Sequence, residues 1–121
     1  MTSAEELHAL YEQWRQLSRS EGEAIRVAAW TQVEHCQQAK AQLQPRISEV
    51  AARHDAEAYE REFRPVIAAL IQLEKQNREV LQAQRQVARH QKDELDQASR
   101  HLRQIHRSYV SPAPAHWQSY S

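Results

Sequence analysis

A single glycine, Gly22, serves a chain of 121 residues. Tight hairpin turns draw on residues that accept positive φ, so a chain with one glycine can reverse on short loops only rarely. Long helices joined by few corners are what remain. Sixteen glutamines, with abundant Ala, Glu and Arg, favour the same outcome. β-branched and aromatic residues occur, but nowhere in alternating runs bounded by turn residues. The expected fold is all-α, an antiparallel helical hairpin or elongated bundle of three to four helices. Aromatic side chains are few, so one or two layers of packed helices are expected rather than a thick core.

The apolar pattern divides the chain further. Ser3, followed by Glu5 and Glu6, reads as a helix start with acids near the positive end of the dipole. Leu7, Leu10, Trp14 and Leu17 then recur at helical spacing. Carried onward, that stripe meets Glu21, Ala24, Ala28 and Thr31 and fades. A second stripe opens in a new register at Val33, Cys36, Lys40, Leu43, Ile47 and Val50. Two readings fit the slip: one helix with a rotating stripe, or a corner near Ala28 with Trp30 packed into it. Pro45 either kinks the second helix or marks a restart. The pattern lapses again around "ARHDAEAYE", the expected reversal point.

The third element is the longest. Pro65 suits a first turn, and Phe63, Ile67, Leu70, Leu81, Leu95, Leu102, Ile105 and Tyr109 share one seam. Four seam positions are polar: Glu74, Asn77, Gln84 and Gln91. A polar seam associates weakly, so this stretch either moves or awaits a partner. Acid–Arg pairs four apart (Glu57–Arg61, Glu60–Arg64, Glu74–Arg78, Asp96–Arg100) are expected on solvated faces. The expected helices are 4–28, 30–54 and 58–108, within one domain 1–109. A Pro- and Ser-containing tail at 110–121 is expected to be extended or disordered, with Trp117 and Tyr120 as possible docking side chains.

Formal charge is zero overall, with residues 1–59 net negative and 60–121 net positive. No basic stripe suggests nucleic-acid binding. The longest apolar run is too short to cross a bilayer, and the first residues are acidic where a signal peptide would be basic, so a cytoplasmic protein is expected. One cysteine, Cys36, allows no internal disulfide and reads as a small buried hydrophobe. Glu5-x-x-His8 is half of a di-iron motif without its other half, and His90, Glu94 and His101 read as solvated side chains, so no metal or cofactor is expected. Cys36 and His35 point apart on a helix, and no catalytic residues are identified.

The order of features resembles the flagellar export chaperones of the FliT type, and more loosely the FlgN type. The resemblance runs over residues 7–109 and rests on Tyr11, Trp14 and Leu17 in the first helix, then Trp30 and Val33 at the corner. Arg64-Pro65 leading into "VIAALI", Asn77, and a closing Ser108-Tyr109 complete it. Ala29 stands where an acidic residue is common, and Val110 where glycine is.

What the resemblance implies is a small cytoplasmic chaperone that holds an amphipathic segment of an export substrate, a filament-cap or hook-associated protein. It would prevent premature assembly and deliver the substrate to the export apparatus. Export-apparatus components and a flagellar regulator are further implied partners, and the last helix would fold back to cover the binding face. On that basis a cargo groove is expected between the second helix and the start of the third, lined by Val33, Leu43, Ile47, Leu70, Ile71 and Leu73. The alternative is a coiled-coil scaffold protein that self-associates through its long C-terminal helix. Either a monomer or a homodimer fits.

Overall fold

The structure is a computed structural model that describes residues 2–110. Three helices account for almost all of them: α1 (Ser3–Arg26), α2 (Trp30–Ala52) and α3 (Ala56–Val110). The chain divides into two units, one ending at Gln84 and the other starting at Arg85. The physical reason is burial: every residue from Arg85 to Ser108 is exposed. No described helix is long and apolar enough to cross a membrane.

In the first unit α1 starts one residue earlier than its acids suggest. The Thr2 hydroxyl accepts the Glu5 amide at 3.1 Å, so Thr2 is the cap, and the Ser3 hydroxyl instead meets His54 Nδ1 at 2.9 Å. The helix ends in a Schellman arrangement: the Ala28 amide donates to the Ile25 carbonyl (3.1 Å) and the Ala29 amide to the Ala24 carbonyl (2.8 Å). That geometry places Ala28 at φ 57°, the left-handed region where glycine is usual. The corner therefore exists, but the only glycine of the chain is not at it. Nor does Trp30 pack into it; as the first residue of α2 it is 48% exposed. Ala28→Gly is expected to raise stability by about 1 kcal/mol, read as a higher urea midpoint at unchanged slope.

Along α2 the second stripe is buried as its spacing implies: Val33, Cys36, Lys40, Leu43 and Val50. Burial pushes the Cys36 thiol above its usual range. α2 runs unbroken through Pro45, so no restart falls there; the proline sits on the exposed side, where the carbonyl deprived of its amide partner can bind water. The reversal falls at 53–55. Asp55 caps α3, its carboxylate accepting the Ala58 amide at 3.1 Å. Because α3 starts at Ala56, Pro65 lies well inside it rather than in its first turn, again on the exposed side.

The principal core joins all three helices: Leu7, Leu10, Tyr11, Leu43, Val50, Phe63 and Leu70. Phe63, with no exposed surface, is its centre. The rings of His8, Tyr11, Tyr59 and His54 surround it at centroid distances of 4.5, 5.6, 5.3 and 6.0 Å. The Tyr11 and Tyr59 hydroxyls hydrogen-bond to each other. Burial, followed by this bond, holds the Tyr11 phenol above its usual range. A smaller cluster of Ala24, Ile25 and Val33 closes the corner, with Val80 and Leu81 of α3 against it.

Candidate functional site

Between the two apolar clusters lies a polar layer. The first stripe continues through Glu21 instead of fading there: Glu21 is 5% exposed and Lys40, on the second stripe, 6%. Lys40 Nζ donates to Glu21 Oε1 (3.3 Å), Ser18 Oγ (3.3 Å) and both oxygens of Glu74 (2.8 and 3.0 Å). Glu74 Oε1 also accepts the Trp14 indole N–H at 3.2 Å and the Ser18 hydroxyl. The Trp14 ring stands 5.2 Å from the Lys40 ammonium, within cation–π range. Burial alone would raise the Glu74 carboxyl, but Lys40, Ser18 and Trp14 outweigh it and hold the group below the usual carboxylate range. Glu21 Oε2 has no partner.

Glu74 thus points into the bundle rather than towards Arg78; of the four helical acid–Arg pairs, Glu60–Arg64 is formed, at 3.3 Å. The other polar seam positions of this unit are likewise engaged by α1. Asn77 Nδ2 donates to the Ser18 carbonyl at 2.7 Å and to Glu21 Oε1 at 3.3 Å. Gln84 Nε2 caps the C-terminus of α1 at the Arg26 carbonyl, 2.7 Å away. A stretch read as either moving or awaiting a partner is engaged from within at Glu74, Asn77 and Gln84, by Lys40 of α2 and by the carbonyls and carboxylate that α1 presents.

Gly22 belongs to this layer. A Cβ on Gly22 would lie 2.5 Å from Asn77 Oδ1, so the glycine permits the close approach of α1 and α3. Alanine normally gains about 1 kcal/mol over glycine inside a helix. Here Asn77 can yield only by breaking its bonds to Ser18 and Glu21. Gly22→Ala is therefore expected to lower stability, by about 1–2 kcal/mol net, with part of the loss returned by adding Asn77→Ala. A stabilised Gly22→Ala protein in chemical denaturation would refute the assignment.

One side of the layer opens to the surface as a trough of about 300 Å³. Tyr11 and Trp14 of α1, Gln44, Ile47 and Ser48 of α2, and Ile67, Leu70, Ile71 and Glu74 of α3 line it. Leu70 is 8% exposed at its base, whereas Ile71 is 63% exposed at its edge. Three of the six expected groove residues, Ile47, Leu70 and Ile71, meet here. The other three lie elsewhere. Leu43 is in the principal core, Val33 is in the corner cluster, and Leu73 borders a different depression beside Gly22, Asn77 and Arg19. The other six trough residues were not expected there: the polar Gln44 and Ser48 of α2, and the stripe and seam residues Tyr11, Trp14, Ile67 and Glu74. The helical spacing of the last four marks them only as core, and the third wall, from α1, appears once the helices are packed.

Two further polar groups stand apart from this layer. Ser3, His54 and Glu62 share one end of the bundle, but His54 Nε2 is 4.0 Å from Glu62, whose nearer bond is to His8 Nε2 at 3.0 Å. This falls short of a nucleophile–base–acid relay. His90 pairs with Glu94 at 3.0 Å on the exposed surface. Among the described residues no group of three or more His, Cys, Asp or Glu side chains is placed to hold a metal. Trp117 and Tyr120 lie outside the described residues.

Comparison of the chain with protein-family models, with curated proteins and with solved structures found no match.

Proposed function

We propose that this protein is a helical carrier that seats an amphipathic segment of another protein in the trough between α1, α2 and α3. The observation that supports this most directly is the trough itself. A bundle that buries Phe63, Leu7 and Leu10 almost completely nevertheless leaves Ile71 63% exposed beside an apolar floor. An aliphatic anchor from a partner helix would find Ile47, Ile67, Leu70 and Ile71 within one concavity. The resemblance to FliT-type chaperones gives the partner a candidate identity: a filament-cap or hook-associated export substrate, held in the cytoplasm until delivery to the export apparatus.

The test is titration of the protein with a purified filament-cap fragment. Ile71→Glu is expected to weaken binding at least about tenfold, since it places a charge in an apolar contact. Because Ile71 is exposed, the variant's unfolding midpoint should stay within about 0.5 kcal/mol of the parent. Undiminished affinity in a folded variant would remove the trough from consideration.

A second reading rests on its own observation. In the unit that begins at Arg85, Val87, Leu95, Leu102 and Ile105 are 53, 69, 64 and 40% exposed. A row of this kind suits a coiled-coil seam completed by a second copy. Sedimentation of the pure protein separates the readings. A concentration-dependent homo-oligomer supports the scaffold, and a monomer that forms a one-to-one complex with the cap fragment supports the carrier.

A further inference from the structure

The polar layer carries an imbalance that reaches the trough. One ammonium, Lys40, faces two carboxylates, so Glu21, Lys40 and Glu74 sum to a formal charge of −1 (1 − 2). The side chains of Glu21 and Lys40 are 6% and 8% exposed, while that of Glu74 is 32% exposed. The excess charge meets solvent through Glu74 alone. Its two oxygens are unequally used. Oε1 accepts from Ser18, Trp14 and Lys40, whereas Oε2 accepts from Lys40 only, at 3.0 Å, and retains room for another donor. Glu74 is also the one charged side chain among the residues that line the trough.

We infer that Glu74 makes the trough selective for a segment that carries a lysine or arginine beside its aliphatic anchor. The inference rests on the carrier reading and names its partner's chemistry. Selection comes mainly from rejection. A segment that covered Glu74 with apolar groups would strip water from a carboxylate already in excess over its counter-charge. A segment bringing an acid there would add repulsion. A partly exposed ion pair to Glu74 contributes little by itself but removes both penalties. Trp14 and Ser18 hold the carboxylate in place, so the cation meets a fixed acceptor rather than a mobile one.

The experiment uses the full chain and an array of eighteen-residue amphipathic helical peptides, each made with Lys, Gln or Glu next to its leucine anchors. The Lys versions are expected to bind at least about tenfold more tightly than the Glu versions, with Gln between. The preference should shrink in 1 M salt. In Glu74→Gln, shown folded by its circular dichroism, Lys and Glu versions should bind alike. Equal binding of the three versions to the parent protein overturns the selectivity and leaves the carrier reading standing. Retention of no peptide at all overturns the carrier reading, and this inference with it.

Discussion

Lys40→Met is expected to destabilise the bundle by about 3–5 kcal/mol, the usual cost of removing one partner from a buried ion pair. The reason lies in what stays behind. Glu21, 5% exposed and already short of a partner for Oε2, would lose its only ammonium, and Glu74 would lose two hydrogen bonds. The effect should be absent when the layer is replaced whole: Glu21→Leu, Lys40→Met and Glu74→Leu together are expected to be near neutral or stabilising. Equilibrium denaturation of both proteins checks the pair. Acid should narrow the gap between Lys40→Met and the parent. The Glu74 carboxyl is held below its usual range in the folded parent, so its contribution is complete above the unfolded value. It is then lost as pH falls through the lowered folded value. In the variant the Lys40 ammonium that lowers the Glu74 carboxyl is gone, so acid takes less from it. A gap that widens on acidification would contradict the assignment.

Phe63→Ala is expected to cost a similar 3–5 kcal/mol, for an unrelated reason. The ring has no exposed surface, and four other rings contact it from α1, α3 and the reversal between α2 and α3. No neighbour can swing in to fill the space, because Tyr11 and Tyr59 are tied hydroxyl to hydroxyl. Phe63→Leu, which keeps most of the volume, should lose less than about 1.5 kcal/mol. Phe63 itself does not line the trough, but Tyr11, whose ring packs against it, does. Under conditions where both variants are folded, the affinity of Phe63→Leu for a trough ligand should therefore stay closer to the parent than that of Phe63→Ala. A Phe63→Ala protein as stable as Phe63→Leu would mean that the aromatic cluster is not the anchor of this fold.

The helices themselves were legible in the chain. Leu7, Leu10 and Trp14, then Val33, Cys36, Lys40, Leu43 and Val50, then Phe63 and Leu70 repeat at a period set by the geometry of a single helix, so each stripe can be read without its neighbours. Even the slip between the first two registers marked a real corner. The position of its cap was less obvious, because Ala28 adopts a conformation that composition alone would reserve for glycine.

Polar residues were where local reading stopped. Glu21 looked like the end of a stripe, and Asn77 and Gln84 like weaknesses in a seam. Their partners lie 19 residues away for Glu21–Lys40, 59 for Asn77–Ser18 and 58 for Gln84–Arg26. The same holds for Gly22, whose role is the nearness of Asn77, and for the trough, whose α1 wall is supplied by Tyr11 and Trp14. Periodicity is a property of one helix and is written along it. Whether a buried charge is paired, or a concavity is open, depends on which helices meet and at what height, and only packing decides that.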